Sequence, residues 1–182
     1  MSSFGTHRAR VHDPARPVQW RLSDLRSCVV RFAPYGFRAT YHHLRTSAGI
    51  PRRPDRDPES LVRAVEELHA ARLVWLTAET EYAARRTREK HAGRRRPAAG
   101  DVWRARQRGC DRIAYCPDPG RHPTEPLPVV VRRVLRGLAE PPGSGDRPVC
   151  RVCAGPTATV PWSVGYWTHL LCAECGVSLR RE

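Results

Sequence analysis

Apolar positions recur along this chain mostly at helical spacing. Residues 1 to 20 are the exception: they are polar, interrupted by Pro14 and Pro17, and read as a flexible leader. Behind a Ser23-Asp24 start, Leu25, Cys28, Val29 and Phe32 fall on one helical face, and Pro34 and Gly36 close that piece. Phe37, Tyr41 and Leu44 then recur at i, i+4 and i+7, with Gly49 and Pro51 as the stop. The best-marked helix begins at Asp57-Pro58-Glu59. Asp57 can accept from the first free amides, Pro58 suits the first turn, and Glu59 favours the positive end of the helix dipole.

Along that helix Leu61, Leu68, Trp75 and Tyr82 are seven apart, with Ala64, Ala71 and Ala78 between them. Such a seam suits another helix, in this chain, in a second copy forming a homodimer, or in a protein partner docking on residues 58–92. The stretch LVWLTAET within it also suits a strand following a shorter helix. Further on, Asp101 opens a short basic piece, DVWRARQRG, and a proline-rich turn, CPDPGRHPTEPLP, leads to VVVRRVLRGL. There Val130, Val134 and Leu138 share a helical face. AEPPGSGDRP reads as a linker. The chain therefore divides into a leader (1–20), a basic, mainly helical domain (21–138), a linker (139–147) and a small carboxy-terminal module (148–182).

That module carries the clearest chemistry. In CRVCAGPTATVPWSVGYWTHLLCAECG, Cys150 and Cys153 form one CxxC pair and Cys172 and Cys175 another. A two-residue gap lets both thiolates of a pair converge on one metal from a tight turn. The intervening segment can run out and back as a hairpin, with TATVPWSV and YWTHLLC as strands around Gly165. Four thiolates at about 2.3 Å would close a tetrahedron around one structural Zn2+ and leave no open position for a substrate. Metal binding worth about 10–16 kcal/mol would supply the stability that so small a module lacks. CRVC and CAEC make the last 35 or so residues resemble the zinc-ribbon and treble-clef zinc fingers. The resemblance implies a four-cysteine zinc site on a β-hairpin. Gly176 follows the second pair as zinc ribbons often have it, whereas Ala154 follows the first, with Gly155 one residue later. Rubredoxin-like iron sites use similar turns, and spacing alone admits iron. Elsewhere Cys110, Cys116 and His122 match no common ligand pattern, and Cys28 reads as core.

Charge narrows the partner. The chain has 32 basic and 18 acidic residues, a net charge of +14 and a pI near 10.6. Lys90 is its only lysine, so GC-rich coding accounts for part of the arginine. It does not account for the excess over acid, which favours a polyanionic partner. The densest run is TEYAARRTREKHAGRRRP. Within it Arg85, Arg86, Arg88, Lys90, Arg94, Arg95 and Arg96 are the expected nucleic-acid contacts, with Arg52, Arg53, Arg132 and Arg133 as additions. Residues 37–74 faintly resemble helix-turn-helix and winged-helix domains through their helix-loop-helix spacing, which implies DNA more than RNA as the partner. His42 and His43 suit phosphate or solvent, and Glu66-Glu67 read as an exposed face.

No apolar run spans a bilayer and no secretion signal opens the chain, so a cytoplasmic location with reduced thiols is expected. No GxSxG, HExxH or phosphate-cradling glycine loop occurs. Treble-clef nucleases place a catalytic His near the zinc. Only His169 corresponds, without acidic partners, and no enzymatic activity is expected. The sequence-level reading is a small DNA-binding regulator with a structural zinc. The alternative is a protein-interaction adaptor that uses the helical seam together with Trp162, Tyr166 and Trp167 of the hairpin.

Overall fold

The structure is a computed structural model that describes residues 2–34, 36–96, 125–139, 159–164, 167–174 and 178–181. Those residues are mainly helical. Helices α1 (Phe4–His12), α2 (Val18–Arg31) and α3 (Phe37–Ser47) precede a 3-10 turn (Pro54–Arg56), the long α4 (Glu59–His91) and α5 (Leu127–Ala139). Three short strands follow, β1 (Thr159–Val164), β2 (Trp167–Cys172) and β3 (Ser178–Arg181). They form one antiparallel sheet in the order β1-β2-β3. The pieces DVWRARQRG, CPDPGRHP and linker residues 140–147 lie outside the described residues, as do Cys110, Cys116 and His122, whereas Ala139, read as the first linker residue, ends α5.

Residues 4–12, read from the sequence as part of a flexible leader, form α1 instead. Ser3 caps it, its Oγ accepting from the Thr6 amide at 3.1 Å. Phe4 and Val11, seven apart, are buried in the common core, and α1 packs on both α2 and α4. Two large apolar residues in nine make too sparse a pattern to announce a helix, and the tertiary contacts supply what the pattern lacks. Arg21 of α2 completes the join. It is buried, and its Nε donates to the Val11 carbonyl at 2.7 Å, serving one of the acceptors that the end of α1 leaves open.

Helix α2 starts five residues before the Ser23-Asp24 signal, and Asp24 points inward rather than capping. His7 Nδ1 lies 2.7 Å from Asp24 Oδ1, and the Arg16 guanidinium is 3.5 Å from Oδ2. Leu25, Cys28, Val29 and Phe32 are all buried, as their spacing requires. Helix α3 ends in a Schellman turn. Gly49 takes φ 65°, its amide donates to the Thr46 carbonyl, and the Ile50 amide donates to the Arg45 carbonyl at 2.9 Å. Buried Ile50 then supplies the hydrophobic contact that accompanies such a turn.

The 33-residue α4 is the spine on which the other helices pack. Asp57 serves its start, with Oδ1 accepting from the Ser60 amide at 3.2 Å. Arg63 holds the same carboxyl below its usual range. LVWLTAET is helical throughout. Leu61, Ala64, Leu68, Ala71, Trp75 and Tyr82 are buried within the chain itself, so this seam is already occupied at those positions. Helix α5 packs along α4 through Leu127, Val130 and Val131. The side chains of Val134 and Leu138 lie outside the described set.

Candidate nucleic-acid interface

The two ends of α4 handle charge differently. Toward its start, Glu66 and Glu67 meet partners distant in sequence, Glu66 at the part-exposed edge and Glu67 more deeply enclosed. Glu66 receives a two-pronged contact from Arg8, Nε to Oε1 at 2.6 Å and Nη2 to Oε2 at 2.7 Å, and His12 Nε2 lies 2.6 Å from Oε1. The Arg8 guanidinium, opposed by partial burial and aided by His12, holds this carboxyl down at about 2. Glu67 sits deeper. His43 Nε2 lies 3.0 Å from its Oε1, Ser47 Oγ donates to Oε2 at 2.5 Å, and the Leu127 amide donates to Oε1 at 2.9 Å. Burial pushes the Glu67 carboxyl up, but the bonds from His43, Ser47 and Leu127 outweigh it and hold it below the ordinary range.

These contacts correct two sequence-level readings. Glu67 is enclosed rather than part of a solvated face, Glu66 is part-exposed but paired, and His43 is a buried partner of Glu67 rather than a phosphate or solvent contact. His42, one residue earlier, is exposed. Glu67 also caps the first turn of α5 from a different helix, a role no local motif could announce.

At the far end the balance reverses. Helix α4 ends in a second Schellman turn. Gly93 takes φ 81°, its amide donates to the Lys90 carbonyl, and the Arg94 amide donates to the Glu89 carbonyl at 2.8 Å. Of the seven expected contacts, six are exposed: Arg85, which is engaged locally, and Arg88, Lys90, Arg94, Arg95 and Arg96. Arg86 is not. It is buried, pairs with Glu89, and donates through Nη2 to the Arg95 carbonyl at 3.1 Å, tying the helix end to the chain beyond it. The Arg85 guanidinium lies over the Tyr82 ring at 5.1 Å and 3.9 Å from Glu89. Glu89, the only carboxylate between residues 85 and 96, is thus engaged locally, and five cations stand in solvent around one helix end. Cations there also complement the negative end of the helix dipole, which explains one or two of them but not the run that continues past Gly93. Of the expected additions, Arg52, Arg53 and Arg132 are exposed, and the Arg133 side chain lies outside the described residues.

Of the four paired thiols, Cys172 ends β2 and is buried, whereas Cys150, Cys153 and Cys175 lie outside the described residues. The register opposes Thr159 to Cys172. Among the described residues no group of three or more His, Cys, Asp or Glu converges as a metal site, and no helix is long and apolar enough to cross a membrane. An open cleft of about 340 Å³ lies among α1, α2 and α4, lined by Phe4, Phe32, Trp75, Arg31, Arg72 and Glu79, with Arg72 stacked 4.8 Å over Phe4. Comparison with known proteins returns no match: no family model, no curated protein and no solved structure is similar to this chain.

Proposed function

We propose that the chain binds nucleic acid, DNA in preference to RNA, as a small regulator whose carboxy-terminal module is held by one structural Zn2+. The observation that carries the reading is the concentration of Arg88, Lys90, Arg94, Arg95 and Arg96 in solvent, beside a single carboxylate already taken by Arg85 and Arg86. Exposed arginines in such a run can each neutralise a phosphate and release its counterion, and their forked donors suit phosphate oxygens. Arg86 is left out of the contact set and acts as the clamp that positions Arg95.

The expected result is binding that weakens log-linearly as salt rises. Changing Arg94, Arg95 and Arg96 together to Ala should reduce that slope by about 2 to 3. Equal slopes in the parent and the triple variant would remove the patch from the interface.

The zinc assignment uses Cys150, Cys153, Cys172 and Cys175. Two features support it: the doubled CxxC spacing, and the antiparallel return that sets Cys172 opposite Thr159, the first residue of the strand that follows the first pair. The role is scaffolding, with no catalytic step. Metal analysis of reduced protein should find one tetrahedral ion per chain, released as the four thiols are titrated. Reduced full-length protein without stoichiometric metal would sink the assignment.

A further inference from the structure

The outer face of α3 combines rings and positive charge in a way that the α4 cluster does not. Phe37 is 41% exposed and stacks on Tyr41, with ring centroids 6.0 Å apart and planes 12° from parallel. The Arg26 guanidinium, from α2, lies 5.4 Å from the Tyr41 centroid. Val30, one turn beyond Arg26, is 71% exposed. Arg38, His42 and Arg45 continue along α3 at i, i+4 and i+7, all exposed.

Acid is missing from the whole stretch. Between Asp24 and Asp55 the sequence contains no Asp or Glu, while Arg26, Arg31, Arg38, Arg45, Arg52 and Arg53 fall inside it. Two carboxylates of the adjoining helices are engaged elsewhere: Asp24 of α2 is buried against His7, and Glu67 of α4 is enclosed by His43, Ser47 and Leu127. At its start, α3 follows Gly36, which has no side chain to cap the first-turn amides.

We infer that this face is a stacking platform for unpaired bases of single-stranded nucleic acid, with Phe37, backed by the part-buried Tyr41 ring, receiving a base face and Arg26, Arg38 and Arg45 the adjoining phosphates. The inference rests on the nucleic-acid reading above and deepens it by naming the form of the partner. Paired bases show only their edges to a protein, so the exposed Phe37 ring finds ring faces only where bases are unpaired. Charge complementarity favours a polyanion over an acid-poor protein surface, and stacking is indifferent to base identity, which suits a platform without hydrogen-bonding amides.

The test compares oligothymidylate with a duplex of equal length on the full chain, using the parent, Phe37→Ala, Phe37→Trp and the triple arginine variant. Phe37→Ala should weaken oligothymidylate binding about fivefold or more and leave the salt slope unchanged, whereas the triple arginine variant lowers the slope. Phe37→Trp keeps a ring at an exposed position, so it should bind as tightly as the parent and show fluorescence quenched by the oligomer beyond that of the parent. A parent that binds no nucleic acid overturns both readings. A parent that binds, with unaltered affinity in Phe37→Ala or an unquenched Phe37→Trp, overturns this one alone. A preference for duplex does the same.

Discussion

Glu66 and Glu67 at one end of α4, and Arg94 to Arg96 just past the other, are equally polar in sequence and opposite in structure. The acidic pair is drawn inward by Arg8, His12, His43 and Ser47, each from another helix. The basic run stays in solvent because its one acidic neighbour is consumed by Arg85 and Arg86. The lesson is that a charge run becomes a binding surface only after the fold has taken the partners it needs. Counting charges would have made Arg86 a phosphate ligand and Glu67 a solubilising residue.

The sharpest way to break this contrast is at Glu67. Glu67→Ala strips three bonds at once, those with His43, Ser47 and the Leu127 amide. The expected loss is about 3 kcal/mol of unfolding free energy in a denaturant titration. A loss below about 0.5 kcal/mol would mean that water replaces the carboxylate, and that this end of α4 is as open as the other.

A smaller effect is expected at Gly93, whose φ of 81° no side chain adopts without strain, although open space surrounds it. Gly93→Ala should cost about 1 kcal/mol and loosen the turn that sets the direction of Arg94 to Arg96. The measurements are the thermal midpoint and the salt slope together.

Glu66 contributes a pH signature. Its folded carboxyl is depressed from 4.5 to about 2, so the stabilisation it brings is present above pH 4.5 and is lost as pH falls from there toward 2. Glu66→Gln should flatten stability in that window and leave neutral-pH nucleic-acid binding unchanged. Partial exposure of the pair keeps the effect modest. Smallest of all is the stability change expected for the triple arginine variant, within about 0.5 kcal/mol, because its side chains are exposed. A large destabilisation there would show that the basic run is structural.

Much of the helical framework was legible. Leu25, Cys28, Val29 and Phe32 lie buried as their spacing implies, and Gly49 stops its helix with positive φ. The seam of Leu61, Leu68, Trp75 and Tyr82 was visible as well, but not its occupant. The helix α1 was missed because its apolar residues are few, and its stability comes from α2 and α4 rather than from its own pattern. The inward Arg21, Asp24, His43 and Arg86 were missed for a related reason: a polar residue is buried only when a specific partner meets it.

What this sequence determined by itself is much of what depends on neighbours within a turn or two: the apolar faces of α2, α3 and α4, the Asp57 start and the Gly49 stop, and the thiol pairs whose spacing suits a metal. What only the tertiary structure decided is which polar groups are spent inside. Glu66 meets Arg8, and Glu67 meets Leu127, across separations of 58 and 60 residues. Local periodicity is blind to such meetings, because they are set by how helices pack and not by how each one winds.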